Sequence, residues 1–218
     1  MEIFISIDGV LRNTIQKFDY HYVDSYINSE FEDENKNEFE YGITKPIQND
    51  NLLNSYKFQS QEEFEYFLFQ EFPIEIFGHA GISYSTTFSE LHKIIYENSG
   101  HTFTLVGLDE FSKAKPATLF FLSKNAYMGN NIKFIKSDDI INMWDKCDMW
   151  ITDSKKIIDL CPDNKITIKF NTIYNQYFTN KREITKLNEI EELWQKSLEN
   201  TTTLTSIELP INVKQEIK

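Results

Sequence analysis

Two short segments place acidic side chains beside apolar runs, where a carboxylate can move a proton or meet a hard cation. The first is Ile5-Ser6-Ile7-Asp8-Gly9-Val10-Leu11, at the end of a β-branched and aromatic run over residues 2–7. The second is Cys147-Asp148-Met149-Trp150-Ile151-Thr152-Asp153, followed by Ser154-Lys155-Lys156. Taken singly, these residues also have plain geometric readings. Asp-Gly is a turn pair anywhere, and Asp148 and Asp153 suit a helix exit and a turn. Other chemistries find no footing in the sequence. There is no Gly-rich phosphate loop and no serine, histidine and acid arranged as a hydrolase triad. Cys147 and Cys161 form neither a CxxC pair nor a metal-ligand cluster with the four histidines, and read as reduced, partly buried thiols. His79, in Phe77-Gly78-His79-Ala80, reads as a packed or loop histidine.

The elements that would position these residues alternate. Residues 2–7 predict a buried strand ending in the turn Asp8-Gly9. Ser60-Gln-Glu-Glu63 has capping-box spacing before an aromatic helix over 64–72, which Pro73 ends. Phe88, Leu91, Ile94 and Ile95 recur at helical spacing over 86–98, with Ser99-Gly100 as the stop. The pattern then predicts a strand over 101–106 with Gly107 at its end, a helix over 112–124 and a strand over 131–135. A helix over 138–146, strands over 149–151 and 165–170, and an amphipathic helix over 183–198 follow. This alternation predicts an α/β fold, a parallel Rossmann-like sheet with crossover helices. Ligands collect at the carboxyl ends of such strands, and the ends here are Ser6-Ile7-Asp8-Gly9, Gly107 and Thr152-Asp153.

Residues 17–76 differ in character. They contain the run SEFEDENKNEFE over 29–40, with six acids and one lysine, which reads as a solvated loop or helix face. A cap-like insertion over 17–76 is therefore expected beside a core of 1–16 and 77–198. The last residues, 199–218, are β-prone but belong to no alternating unit and read as an edge strand or an arm.

With 218 residues, 40% of them hydrophobic, the chain can bury a core without disulfide or metal staples. Its formal net charge of −12 is repelled by phosphate backbones and anionic membranes. No nucleic-acid or membrane partner is expected; a protein partner, engaged through 199–218, is. No apolar run approaches a transmembrane length and the opening residues do not form a signal peptide, so a cytoplasmic location is expected.

The first segment resembles the first motif of haloacid-dehalogenase-like phosphatases, a hydrophobic strand followed by Asp-x-Asp-Gly-(Thr/Val). The second resembles the fourth motif of the 5′-nucleotidase branch, two acidic positions separated by a short hydrophobic stretch. In that family the first aspartate attacks the phosphoryl group and becomes an aspartyl phosphate. The second protonates the leaving group and later activates water. A Ser/Thr after the second strand and a lysine hold the phosphate, and the acidic motif completes a magnesium site.

The resemblance puts Asp8 at the acid/base position and Ser6 where the nucleophilic aspartate belongs. Gly107 falls where the phosphate-binding Ser/Thr would stand, and Thr104 is two residues too early. Lys136 and Lys146 are the candidate phosphate lysines, and Asp153 and Asp148 the candidate magnesium ligands. The resemblance thus implies a haloacid-dehalogenase-like protein with an impaired site, acting as a binding or structural module. No cofactor is then expected. The alternative is a magnesium-dependent 5′-nucleotidase or phosphatase, with magnesium as its cofactor. The Asn/Lys/Ile-rich composition looks like that of proteins from AT-rich bacteriophages, which suggests a virion or accessory component acting in the host cytoplasm or the virion.

Overall fold

The structure, a computed structural model, describes residues 1–27, 56, 58–110 and 112–193. Its centre is a sheet of β1 (Glu2–Ser6), β2 (Thr102–Leu108), β3 (Ile132–Ile135), β4 (Met149–Thr152), β5 (Ile166–Phe170) and β6 (Glu183–Ile184). The strands run in the order β3-β2-β1-β4-β5-β6, and every pairing is parallel. β1 is central, between β2 and β4, because it is apolar on both faces. Ile3, Ile5 and Ile7 point into one layer and Phe4 into the other, and all four are fully buried.

Helices α3 (Thr87–Glu97) and α4 (Ala114–Lys124) cover the first face through Phe88, Leu91, Ile94, Phe121 and Leu122. Helices α5 (Ile140–Trp144) and α6 (Lys155–Asp159) cover the second through Ile140, Trp144 and Ile157. The first crossovers therefore lie on one face and the later ones on the other. Strand order reverses between β1 and β4, so the crevice at their carboxyl ends is the place where such sheets take ligands.

Between β1 and α3 come α1 (Thr14–His21) and α2 (Gln61–Tyr66), with π-helical turns at Tyr22–Ile27, Phe67–Glu71 and Ile74–Gly78. The Ser60 side chain accepts from the Glu63 N–H at 3.1 Å and caps α2. Phe18, Tyr22, Tyr56, Phe58, Phe64, Phe67 and Ile76 form an aromatic core separate from the sheet's own. The acidic run 29–40 and the arm 199–218 lie outside the described residues. No helix among the described residues is long and apolar enough to cross a membrane.

Helix α6 forms where the sequence reading placed none, the helix expected over 64–72 is π-helical from Phe67, and two strands differ as well. The stretch expected as one helix over 183–198 opens instead as β6, with Lys169 and Phe170 of β5 opposite Glu183 and Ile184. Among the described residues helix begins at 189, after Thr185 has bonded Glu189 through both its N–H (3.1 Å) and its hydroxyl (2.6 Å). The amphipathic spacing was real, but strand pairing and a cap claimed its first turn. The other strand is β2, which runs on through Gly107 to Leu108, with Gly107 opposite Phe134 of β3. A Cβ on Gly107 would meet the Phe134 ring and Ile7 at 3.3–3.4 Å, so glycine here serves close packing inside the strand.

Candidate active site

The carboxyl ends of β1 and β4 bring Ser6, Asp8, Thr152 and Asp153 together. Gly9 adopts a φ of +74°, and a Cβ there would fall 1.9 Å from Asp153 Oδ2. The Gly9 backbone thus packs directly against the Asp153 carboxylate, which only glycine allows. Asp153 is half-buried as a residue. Its carboxyl is pushed up to about 7, first by desolvation and then by the charge of Asp8. Asn175 donates from Nδ2 to the Asp153 carbonyl (3.1 Å) and the Phe170 carbonyl (2.8 Å), fixing the turn after β4 to the end of β5.

Asp8 has a built-in cationic partner. Arg12 is fully buried, and its Nε donates to Asp8 Oδ1 at 2.8 Å and to Thr14 Oγ1 at 3.2 Å. Its Nη1 donates to the Phe77 carbonyl and to Thr118 Oγ1, both at 2.9 Å. The guanidinium carbon lies 4.8 Å from the centroid of the Phe77 ring and 5.6 Å from that of Phe121. Thr14 Oγ1 also donates to Asp8 Oδ1. One carboxylate oxygen of Asp8 is therefore committed to Arg12 and Thr14.

Ser6 is bound into the sheet. Ser6 Oγ donates to Thr152 Oγ1 at 2.9 Å and accepts from Trp150 Nε1 at 3.1 Å. Ser6 is 6% exposed and Trp150 is fully buried, its ring edge-on to Phe4 at 5.4 Å. A buried indole N–H needs an acceptor, and the Ser6 hydroxyl is that acceptor.

The remaining candidates are scattered. Gly107 lies within β2, beside β1, but its place is packing against Phe134 and Ile7. Thr104 donates to Glu2 Oε1 at 2.7 Å, near the amino edge of the sheet. Asp148 also stands at that amino edge, just before β4. It accepts from the Glu2 N–H at 2.8 Å and pairs with Lys165 at 3.7 Å. The whole of β4 separates Asp148 from Asp153, so the two carboxylates cannot share one ion. Lys146, exposed and also before β4, lies at the same wrong edge. Lys136 follows β3 at the carboxyl edge, exposed, with β2 between its strand and β1.

Sequence reasoning did not find Arg12, Thr14, Trp150 or Thr152. Arg12 left one signal, a lone basic residue directly after the apolar pair Val10-Leu11. Nothing local in Met149-Trp150-Ile151 announces that its indole faces Ser6.

Asp8 and Asp153 are the residues that would hold a magnesium ion, with water completing its shell. Among the described residues no group of three His, Cys, Asp or Glu side chains converges on a point that could hold a metal. Asp8 and Asp153 are the two acids available, Asp8 has one oxygen engaged by Arg12 and Thr14, and the Ser6 hydroxyl is spent on its neighbours. Magnesium keeps several of its waters and takes one or two carboxylates from a protein, and the second oxygen of Asp8 and the carboxyl of Asp153 are the groups here of that kind.

No family model matches the chain, and no curated protein matches it by sequence. Among solved structures, one that resembles it is described as a haloacid dehalogenase-like hydrolase from Burkholderia xenovorans LB400. It shares 10% identity with a TM-score of 0.50, over 90% of this chain and 97% of that one. Together with the parallel sheet and its central β1, that likeness shows a parallel, Rossmann-like α/β fold shared with this hydrolase.

Proposed function

We propose that this chain uses the haloacid-dehalogenase-like fold as a binding module and does not transfer phosphoryl groups. The observation that carries the reading is the Ser6 hydroxyl, which stands at the nucleophile position and is held between Trp150 and Thr152. A phosphoryl acceptor needs a free, activated oxygen aimed into the crevice. Ser6 has no base beside it. Its two hydrogen-bonding neighbours are a hydroxyl and an indole N–H, and neither removes a proton at neutral pH. Loss of a nucleophile lowers rates by several orders of magnitude even where the rest of a site survives. The acidic sequence supports a protein partner, and the composition supports a phage-encoded accessory or virion role. The arm 199–218 is the segment we assign to that partner.

A second reading, a magnesium-dependent phosphatase, draws on the convergence of Asp8 and Asp153 beside one crevice. It would need another residue to act as nucleophile, and Asp8 is held by Arg12.

The test is covalent. The purified full chain is incubated with magnesium and a reactive phosphoryl donor, such as acetyl phosphate, and its intact mass is measured. The proposal expects no adduct. A phosphorylated protein that reverts in hydroxylamine, as an acyl phosphate does, would overturn it.

A further inference from the structure

We infer that the cleft beside Gly9 binds an uncharged small molecule, a ring with an apolar face and a hydrogen-bonding rim, and discriminates against its phosphorylated form. This deepens the binding-module reading and rests on it.

The cleft has a volume of about 430 Å3, within the range of small-molecule sites. One wall is the turn after β1, with Gly9 and Asn13. The second is Ser83-Tyr84, and the third is the chain leaving β5 from Phe170 to Gln176, closed by Thr185. Tyr84 and Phe170 lie nearly parallel, 18° apart with centroids at 6.2 Å, and give the cleft an aromatic wall. No Lys, Arg, His, Asp or Glu lines it among the described residues.

Its polar groups fall into two sets. Several are spent on structure: Ser83 Oγ donates to the Gly9 carbonyl, and the Tyr84 hydroxyl donates to Glu90 and accepts from the Leu187 N–H. Others have capacity left. Among the described residues the Tyr174 hydroxyl and the Gln176 amide have no hydrogen-bond partner, and Asn171 uses its Nδ2 on Glu183 while its Oδ1 stays open. Aromatic walls with a few free, uncharged donors and acceptors suit a neutral ring with a polar rim.

Charge sets the discrimination. Carboxylates stand directly behind the lining. Glu90 lies behind Tyr84 (2.8 Å), Glu189 behind Thr185 (2.6 Å), Glu183 behind Asn171 (3.2 Å), and Asp153 against Gly9. Three basic residues on the same elements each have an acidic neighbour. Arg12 holds Asp8, Lys169 lies 3.6 Å from Glu183, and Lys186 acts on Glu90. A phosphate entering the cleft meets like charge, and among the described residues no Lys or Arg lines the cleft to receive it. A cationic ligand would lose hydration without a carboxylate in the lining to replace it.

The experiment titrates the full chain with matched pairs, adenosine against adenosine 5′-monophosphate and glucose against glucose 6-phosphate, by ligand-observed NMR and calorimetry. The two pairs separate a nucleoside source from a saccharide source. We expect the uncharged member of one pair to bind at least about tenfold more tightly than its phosphate. Gln176→Ala, at an exposed position, and Tyr174→Phe, which keeps the buried ring and removes the hydroxyl alone, should each weaken that binding several-fold at an unchanged melting temperature. Equal or tighter binding of the phosphorylated member overturns the inference, as does absence of binding by both uncharged members, or binding untouched by both substitutions. Those results leave the proposed function standing. Hydrolysis of a phosphorylated member would instead overturn the proposed function.

Discussion

Trp150 Nε1 donates to Ser6 Oγ at 3.1 Å, so the indole of β4 is fastened to the last residue of β1, where the motif resemblance puts a nucleophile. An aspartate in this position would bring a charge into a spot that is 6% exposed and beside two other carboxylates. The serine supplies a neutral acceptor instead. Ser6 is part of the buried packing around Trp150.

Ser6→Ala should therefore cost stability. The Trp150 N–H and the Thr152 hydroxyl both lose a partner, and an orphaned buried donor costs about 1–3 kcal/mol. Urea denaturation should show a lower midpoint at unchanged slope. A variant as stable as the wild type would mean that water replaces the hydroxyl and that the Ser6–Trp150 bond contributes nothing.

Arg12 should be the most sensitive polar residue of the site. Arg12→Met removes the cation while keeping much of the volume, leaving Asp8 without its charged partner; a broken buried pair costs about 3–5 kcal/mol. Because Asp8 keeps 25% of its side-chain surface, the lower end applies. Asp8→Asn in the Arg12→Met background should recover part of the loss. Full additivity of the two changes would show that the ion pair is incidental.

Much of this was legible in the sequence, for reasons that differ by residue. The central strand announced itself because Ile3, Phe4, Ile5 and Ile7 are apolar on both faces. Asp8 and Asp153 could be placed at one edge because each directly follows an apolar run in an alternating series. Asp148 could not be separated from Asp153 by type, since only the strand between them decides which edge a carboxylate occupies. Gly107 read as a strand end because glycine usually punctuates, whereas close packing against Phe134 and Ile7 keeps it within β2. Residues 183–198 carried a helical period that pairing with β5 overrode at Glu183 and Ile184. The Ser6–Trp150 and Arg12–Thr118 bonds join positions 144 and 106 residues apart, and no local pattern encodes them.

Asp153 gives the site a pH signature. Its native carboxyl titrates near 7, above the ordinary 3.8, because of burial and then Asp8. The folded state therefore holds the proton more tightly than the unfolded one. Stability contributed by protonated Asp153 is fully present below about pH 4, falls as pH rises toward 7, and is flat above. Asp153→Asn should flatten that slope and raise stability at pH 8 by on the order of 1–3 kcal/mol. Thermal melts from pH 5 to 8 check it; an unchanged slope in the variant would place the titration elsewhere.

Gly9→Ala should be poorly tolerated for two separable reasons. The backbone sits at φ +74°, which costs an L-residue about 1–2 kcal/mol, and the new Cβ would collide with the Asp153 carboxylate. In an Asp153→Gly background the collision disappears and the backbone cost remains. The double variant should accordingly recover more than half of the loss. Equal losses in both backgrounds would mean that the chain moves aside freely and that Gly9 is not held against Asp153.

The central proposal is that the crevice between β1 and β4 does not transfer phosphate, and the most direct measurement is phosphate release from nucleoside monophosphates with magnesium at pH 7. The account predicts no turnover above the protein-free background for the wild type and for Asp8→Asn alike, with any gain confined to Ser6→Asp. Robust wild-type turnover abolished by Asp8→Asn would contradict it and make this chain an enzyme.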